Sequence, residues 1–429
     1  MNRNMRESGV DWIGKIPIDW EVHPLKHVLC ERNEINNPVK VKDILSLTNN
    51  RGVIPYADKG DIGNRAKEDI SGYKIVKEND IVINSMNLYI GSVGLSKYIG
   101  VVSPVYYMLY KRNDNDSIEY YAQLFQTKEL QSKSHGYGNG ILDIRMRIPM
   151  SNLNLFPLPV PPSSKQHKII SVLNDKVKRI DKLITIQERQ LDVIFEYRRV
   201  LLTDIVTKGL DNYVPLIDTK IDWFGQIPSH WTVRKLKACL ESKLQYGANS
   251  SGVSYDENLP RYIRITDITS DNELSHDNKL SLTLDQASGY YLKNGDVLFA
   301  RSGATVGKSF IFKDEYGQSV FAGYLIKASV DYSLLIPEYL YYFTLSNSYL
   351  EWTRNIFIQA TIQNIGASKY ANMQLPLPPV NEQIRICKFI KNKEEKFKKI
   401  EKTIQAKIEK LNEYKKSLIY EYVTGKKEV

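Results

Sequence analysis

The most constraining feature of this sequence is a segment that is written twice. Residues 10–26 read VDWIGKIPIDWEVHPLK and residues 221–237 read IDWFGQIPSHWTVRKLK. Both copies contain the pattern Asp-Trp-x-Gly-x-Ile-Pro-x-x-Trp, and they align without a gap. A repeat of this length indicates that part of the chain has been duplicated.

A second pair of repeats lies downstream of the first. Residues 157–166 read PLPVPPSSKQ and residues 376–383 read PLPPVNEQ, and the copies then stay in step to Val206 and Val423. The two pairs of repeats occur in the same order and flank segments of similar length. The sequence therefore predicts an internally duplicated protein.

The segments between the repeats, 27–156 and 238–375, hardly match each other. We call the repeated segments the frame and the segments between them the inserts. The frame is thus duplicated while the two inserts have diverged. This pattern is typical of a pair of recognition modules that have different targets.

One weak correspondence joins the two inserts. Residues 80–83 (DIVI) resemble residues 296–299 (DVLF), and both are predicted to begin a short apolar strand after a turn. We pair Gly94 with Gly307 in the turns that follow. This pairing predicts three extra residues in the first insert, within residues 84–91.

Two long helices are predicted after the proline-rich repeats. Neither proline nor glycine occurs in residues 163–208 or 380–424, and apolar residues recur there at alternating steps of three and four. This period is typical of a coiled-coil seam, and each helix would be roughly 60 Å long. The simplest partner for each seam is the other helix, in an antiparallel pair. The alternative, a helix lying on its own domain, is disfavoured because the helix would extend beyond a domain of ordinary size.

The formal net charge of +10 resides entirely in these predicted helices. Residues 163–209 and 381–429 hold 24 Lys and Arg against 14 Asp and Glu, so the rest of the chain is neutral. A basic balance favours an anionic partner, most commonly nucleic acid. The inserts can bind DNA only if their charge is segregated between faces. The Lys-rich second helix is also compatible with an ordinary solvated surface.

Cysteine usage and hydropathy indicate the cellular compartment. Cys30, Cys239 and Cys387 are far apart in the sequence, which is typical of a reducing cytoplasm and predicts neither a disulfide framework nor a zinc cluster. No apolar run reaches the roughly 18 residues of a membrane-spanning helix. Residues 1–10 lack the apolar core of a secretory signal. We expect a cytoplasmic protein that makes no contact with a membrane.

The sharpest local motif is GATVGKS at residues 303–309. It is similar to a phosphate-binding loop, but that loop requires four residues between its glycines and this segment has three. The missing residue changes the ring of backbone N–H groups that would hold a phosphate, so we interpret the segment as a tight Gly-rich turn. The sequence also lacks the Asn/Asp-Pro-Pro-aromatic loop of an adenine methyltransferase, a nuclease core and a His-Glu-x-x-His metal motif. We therefore expect a non-catalytic binding subunit.

Together these features resemble the specificity subunit of type I restriction-modification systems, and the resemblance covers nearly the whole chain. It is carried by the duplicated Asp-Trp pattern and by the Pro-Leu-Pro segment before each helix. Three further motifs contribute to it: VSPVY at residues 102–106, YIRITDI at 262–268 and GDVLFARSGATVGK at 295–308.

The resemblance implies a mixed α+β fold. Two globular target-recognition domains would be separated by a long antiparallel two-helix coiled coil, with pseudo-two-fold symmetry from the internal duplication. The implied boundaries are 1–162 for the first domain, 163–209 for the first helix, 210–220 for a linker, 221–380 for the second domain and 381–425 for the second helix.

The resemblance also implies the partners of the chain. These are double-stranded DNA, two methyltransferase subunits and restriction subunits. S-adenosylmethionine, ATP and Mg²⁺ are expected in the partner subunits, and no cofactor or metal is expected in this chain. Duplex DNA is itself two-fold symmetric, so a duplicated frame with divergent inserts suits a target made of two different halves.

The residues expected to read DNA bases are Arg, Asn and Gln side chains on loops of the inserts, because these types match base edges in the major groove. The candidates are Asn49, Asn50, Arg51, Tyr137 and Asn139 in the first insert, and Arg264, Arg301, Gln359, Gln363 and Asn364 in the second. We expect at least half of these candidates to be ordinary solvated loop residues instead. Two other functions stay open, a stand-alone DNA-binding regulator and a protein-scaffolding module, and an enzyme that uses residues 303–309 is the weakest alternative.

Overall fold

The computed structural model of the protein describes residues 4–49, 51–60, 65–138, 147–269, 273–303, 305–358 and 364–429. The chain forms two units. The first consists of Met1–Glu188 with Gln405–Val429, and the second is Arg189–Ile404. Each unit contains a mixed domain of short strands and helices and a stretch of both long helices.

The strands of the first unit are short and mostly antiparallel. They are β1 (Met5–Glu7), β2 (Lys15–Pro17), β3 (Glu21–Pro24), β4 (Leu29–Arg32), β5 (Leu45–Thr48), β6 (Gly52–Pro55), β7 (Lys74–Val76), β8 (Ile81–Asn84), β9 (Val93–Leu95), β10 (Gly100–Val102), β11 (Tyr106–Lys111) and β12 (Pro157–Val160). Four of them form an antiparallel sheet in the order β4-β11-β8-β9, and the others pair as β1-β2, β3-β12, β5-β6 and β7-β10.

The helices of the first unit cover one face of this sheet. They are α1 (Leu25–Val28), α2 (Ile118–Phe125), α3 (Lys128–Ser134), α4 (Met150–Leu153) and the start of α5 (Ser163–Lys208). The main core of the unit contains Ile83 of β8, Tyr120 of α2 and Leu173 of α5, all buried.

The second unit has twelve strands among its described residues. They are β13 (Leu216–Asp218), β14 (Gln226–Pro228), β15 (Thr232–Lys235), β16 (Gln245–Tyr246), β17 (Val253–Ser254), β18 (Arg261–Ile263), β19 (Leu280–Ser281), β20 (Val297–Ala300), β21 (Ser309–Ile311), β22 (Ser319–Phe321), β23 (Leu325–Ala328) and β24 (Gln374–Leu377). Its helices are α6 (Leu284–Ala287), α7 (Pro337–Thr344), α8 (Asn347–Ile358), α9 (Ala367–Ala371) and most of α10 (Val380–Val423).

The frame of the second unit repeats that of the first. The sheet β16-β23-β20-β21 corresponds to β4-β11-β8-β9, the hairpin β13-β14 to β1-β2, and the pair β15-β24 to β3-β12. The inserts differ, because the second unit has a further sheet, β17-β19-β18-β22, in which β18 and β22 are parallel. The predicted mixed fold with a duplicated frame and divergent inserts is confirmed.

Each copy of the repeated Asp-Trp pattern holds the end of a long helix. The pattern contributes one strand of a hairpin and then a buried tryptophan, Trp20 or Trp231. Gly425 (φ 74°) and Gly209 (φ 80°) end the helices in left-handed conformations beside these rings. A Cβ atom would lie 2.5 Å from Pro17 Cδ at Gly425 and 3.1 Å from the Trp231 ring at Gly209. Glycine is thus favoured at each helix end by both the backbone conformation and the contact.

The long helices pair through their apolar seams within each unit. In the first unit, Ile180 of α5 and Leu418 of α10 belong to one core, and Lys415 Nζ lies 2.7 Å from Asp181 Oδ1. In the second unit, Arg198 Nε donates to Glu394 Oε1 at 2.7 Å. Residue numbers fall along α10 as they rise along α5, so the predicted antiparallel pair is confirmed.

The described residues contain neither a candidate membrane span nor a cluster of metal ligands. None of their helices is both long enough and apolar enough to cross a membrane. Within the same residues, no three His, Cys, Asp or Glu side chains lie together as metal ligands would.

Candidate functional site

The two central strands β8 and β20 begin in the same way. Asp80 Oδ2 accepts a hydrogen bond from Lys77 N at 2.9 Å, and Asp296 Oδ2 accepts one from Lys293 N at 2.8 Å. Each carboxylate closes a tight turn before four consecutive buried strand residues. The predicted correspondence of residues 80–83 with residues 296–299 is therefore confirmed.

The loops that follow these strands are also equivalent. The N–H of Asn84 donates to Ser92 O at 3.0 Å, and that of Ala300 donates to Lys308 O at 2.8 Å. Each bond closes a loop of the same length. Every residue of the first loop thus has a counterpart in the second.

The predicted pairing of Gly94 with Gly307 is wrong. Gly91 (φ 90°) is the counterpart of Gly307 (φ 85°), and both adopt the left-handed conformation that glycine favours. Gly94 lies inside β9, opposite Val82, where a Cβ atom would approach Gly52 Cα to 3.0 Å. The three extra residues predicted in the first insert do not exist.

The loop at residues 303–308 does not have the structure of a phosphate-binding loop. It leads from β20 directly into the strand β21, which pairs antiparallel with β20. A phosphate-binding loop instead leads into a helix, whose N-terminal N–H groups hold the anion. The interpretation as a Gly-rich turn is confirmed for the described residues of this segment.

Each of these loops is fixed by a backbone bond from a distant part of its insert. The N–H of Ile148 donates to Ser85 O at 2.9 Å, and that of Ile365 donates to Arg301 O at 2.8 Å. Ser85 and Arg301 are therefore structurally equivalent. The preceding residues, Arg147 and Asn364, correspond in the same way, so different side chains occupy matching positions of one frame.

Arg301 has a defined orientation in the second unit. Its N–H donates to Tyr324 O at 3.0 Å, and its guanidinium carbon lies 4.9 Å from the centre of the Tyr246 ring. The Tyr246 hydroxyl is itself fixed, because it accepts a hydrogen bond from Ala367 N at 3.0 Å. Arg301 Nε is buried without a hydrogen-bond partner, as is Oδ1 of Asn364. Buried polar atoms without partners are rare in folded proteins, and a missing ligand is one explanation for them.

Ser85 behaves differently in the first unit. Its hydroxyl donates to Val105 O at 2.9 Å, so this side chain stabilises the fold and is not available to DNA. Positive charge comes instead from Lys74, whose Nζ donates to Tyr106 O at 3.2 Å. Burial lowers the pKa of Lys74, nearby Arg147 lowers it further, and Glu31 opposes both effects. Lys74 is largely buried and its Nζ lies 3.8 Å from Glu31 Oε1, so part of its charge is balanced within the protein.

Arg264 was predicted from the sequence to read DNA, but its side chain is hydrogen-bonded within the protein. Its Nη2 donates to Asp267 Oδ1 at 2.7 Å and to Asn278 O at 2.9 Å, and its Nε donates to Asp267 Oδ2 at 3.1 Å. The hydrogen bond from Asp267 raises the pKa of Arg264. The structure therefore places most of its donors on the protein itself.

The candidates of the first insert lie in two separate places. Asn49 and Arg51 are exposed at the β5–β6 turn, where Arg51 Nη2 donates to Asp58 O at 2.8 Å. The Tyr137 ring packs against Phe156, with ring centres 4.9 Å apart, and belongs to the edge of the core. Among the described candidates, Arg301 and Asn364 are the pair that the fold brings together from distant parts of the sequence. Four candidates lie outside the described residues: Asn50, Asn139, Gln359 and Gln363.

Sequence reasoning missed Tyr246 and Lys74. Both lie on strands of the inserts, whereas the sequence candidates are polar residues of predicted loops. The sequence offered one local signal for Tyr246, an aromatic residue directly before a glycine, while its strand and its exposure are seen in the structure.

The chain matches known protein families and sequences. Residues 17–194 and 228–410 both match the family model of the type I restriction modification DNA specificity domain. The MjaVIII type I restriction enzyme specificity subunit of Methanocaldococcus jannaschii is 24% identical over 425 residues, which cover 96% of this chain and 94% of that protein. The EcoBI specificity subunit of Escherichia coli is 22% identical over 286 residues, covering 62% of this chain and 58% of that protein.

Solved structures show the same fold. A chain from a structure that addresses complex assembly and conformational transition of the type I restriction-modification system aligns with a TM-score of 0.70 at 13% identity, covering 95% of this chain and 98% of that one. The HsdS subunit from Thermoanaerobacter tengcongensis aligns with a TM-score of 0.52 at 14% identity, covering 96% and 98%. At these identities the likeness concerns the fold.

Proposed function

We propose, from the premise that this chain belongs to the type I restriction-modification DNA specificity family, that each of its domains reads one half of a two-part DNA target. The chain is a specificity subunit, the DNA-recognition component of its system and not a catalytic one. One observation carries the proposal. Matching positions of a duplicated frame hold different side chains, Ser85 and Arg147 in one unit and Arg301 and Asn364 in the other.

The duplicated frame supports this division of labour. A shared frame presents both loops in the same local geometry, so differences in sequence preference arise from the loop side chains. Such side chains distinguish base pairs in the major groove. Positive groups beside them contact phosphates and add affinity without sequence preference.

The proposal extends to the partners of the chain. Two methyltransferase subunits would dock on the two repeated frames, one on each, and restriction subunits would join that assembly. S-adenosylmethionine, ATP and Mg²⁺ would bind in those partners, and no cofactor would bind in this chain. The repetition of the Asp-Trp pattern supports this stoichiometry, because it provides two equivalent surfaces for two identical partners.

The experiment is an exchange of one insert in the assembled methyltransferase. Residues 27–156 are replaced by the insert of another family member, and methylated sites are mapped in a host that lacks other methyltransferases. We expect one half of the target to change and the other half to be retained. A simultaneous change in both halves would contradict the assignment of one half-site to each domain.

DNA binding by the chain with and without its methyltransferase partners distinguishes the proposed function from a stand-alone regulator and from a scaffold. A stand-alone regulator would bind its DNA site tightly without any methyltransferase, and a scaffold would show no sequence preference in either state. We expect strong sequence-specific binding only in the assembled complex.

A further inference from the structure

Arg301 differs from the other half-buried arginines that line strand ends and helix seams. Arg32 is paired with Asp80, Arg198 with Glu394 and Arg264 with Asp267. Within the described part of the chain, Arg301 has neither a carboxylate partner nor any side-chain hydrogen bond. A half-buried cation without a partner is unfavourable, and acceptor atoms supplied by a ligand would offset this cost.

The two terminal nitrogens of Arg301 are available for such a ligand. Nε is the guanidinium atom that is buried without a partner. The terminal nitrogens have no protein partner among the described residues, yet they are not among the buried atoms, so they face solvent. The guanidinium carbon lies 4.9 Å from the centre of the Tyr246 ring, which restrains the group, and the bonds to Tyr324 and from Ile365 fix its backbone. A planar pair of donors is thus held in one orientation.

We propose that Arg301 reads a guanine in the half-site of the second domain, donating its terminal N–H groups to O6 and N7 in the major groove. This inference rests on the proposed function of the domain in DNA recognition. A guanidinium presents two parallel donors, and guanine presents the matching pair of acceptors.

The duplicated frame restricts this contact to one half of the target. Ser85 occupies the equivalent position in the first domain, and its hydroxyl is bonded to Val105 O. The first domain therefore has no guanidinium at this place. The contact made by Arg301 therefore has no counterpart at the equivalent position of the first domain.

A phosphate is the competing ligand for the same donors. A phosphate can also be bound by the point charge of a lysine, and such a contact adds affinity without preference for a base. Recognition of a base edge requires the planar guanidinium group with its two parallel N–H donors. The fixation of Arg301 on an aromatic ring favours the base, and the two ligands predict different effects of substitution.

The test uses the complete complex with its methyltransferase partners and a DNA library with both half-sites randomised. Methylated sequences are read for the wild type, Arg301→Ala, Arg301→Lys and Tyr246→Leu. Lys293→Ala is the matched control, because Lys293 is an exposed cation in the turn that precedes β20, whereas Arg301 directly follows that strand. Thermal unfolding of each complex establishes that the variants are folded.

We expect the wild type to require a guanine at one position of the second half-site. Arg301→Ala should reduce the preference for that guanine by roughly 10- to 100-fold and leave every other position unchanged. Arg301→Lys should retain only part of the preference, and Tyr246→Leu should weaken it at the same position. The control should keep the wild-type motif.

Three results would overturn the inference. They are a wild-type motif without guanine in the second half-site, an unchanged preference in Arg301→Ala, and a uniform loss of methylation on all sequences that lysine restores. The last result would identify a phosphate contact. A wild type that methylates no two-part motif would instead refute the proposed function, so the two failures are distinguishable.

Discussion

The hydroxyl group of Tyr120 lies 2.7 Å from the backbone carbonyl oxygen of Val423, a residue 303 positions later in the chain. Tyr339 lies 2.8 Å from the carbonyl oxygen of Val206 in the same way. Carbonyl groups in the last turn of a helix have no donor within the helix, so each tyrosine satisfies one of them. Burial raises the pKa of both tyrosines well above the ordinary value, which keeps the hydroxyl groups protonated.

Replacing Tyr339 by Phe should lower the free energy of unfolding of the second unit by about 1–3 kcal/mol, because it leaves a buried carbonyl oxygen without that donor. Chemical denaturation of the purified complex measures the change. Tyr213→Phe is the matched control, since Tyr213 is 96% exposed and should tolerate the loss of its hydroxyl. Equal stability of the two variants would contradict the role of the bond.

Replacing Gln383 by Leu should have a larger effect. Its buried amide accepts from Ile336 N at 2.8 Å and donates to the carbonyl oxygens of Leu334 and Pro378, each at 2.8 Å. Leucine preserves most of the volume but leaves three backbone groups unpaired, so we expect a loss of roughly 3 kcal/mol. The shift of the denaturation midpoint measures it. The same substitution at exposed Gln190 of α5 should change the midpoint little.

The sequence predicted the frame well because the frame is repeated. The repeated tryptophan, the prolines and the apolar seam are read from spacing alone. The loops were harder, as Gly94 shows. Gly94 is required for close packing against Gly52, whereas Gly91 is required for a left-handed turn, and the sequence does not distinguish these two roles of glycine. Only the strand register separates the two.

The candidate site was predicted less completely, because partners of a side chain are often remote in sequence. Tyr137 packs on Phe156, and Arg301 stacks on Tyr246, and neither contact leaves a local pattern. Arg264 was different. Its partner Asp267 is three residues away, so the pairing that occupies its donors was open to prediction from local spacing.

The helix seam of the second unit contains a polar contact that should respond to salt. Arg198 donates to Glu394 and lies 3.7 Å from Glu401, whose Oε1 is buried without a hydrogen bond. Arg198→Met should lower the free energy of unfolding by about 2 kcal/mol at low salt, because it leaves two partly buried carboxylates together. Added salt should reduce that loss. Exposed Arg199 provides the control, and an identical effect of Arg199→Met would show that the seam contact is not responsible.

The length of the paired helices should set the distance between the two halves of the target. Asp181 contacts Lys415, so Ile184 and Asn412 lie at opposing positions of the antiparallel pair. Inserting a heptad after each keeps every apolar residue of the seam facing its partner. Inserting four residues at both positions breaks that repeat, and this control should lose stability and activity.

The heptad adds about 10 Å of helix, which corresponds to about three base pairs of DNA. We expect the methylated target of the double-insertion variant to have a longer spacer and unchanged half-sites, because the loops that read bases are left intact. The inserted helix also rotates one end relative to the other, so the observed increment can be smaller and methylation weaker. Mapping of methylated sites in a host that carries the variant measures both quantities. An active variant that keeps the original spacer would show that the helices do not set the distance.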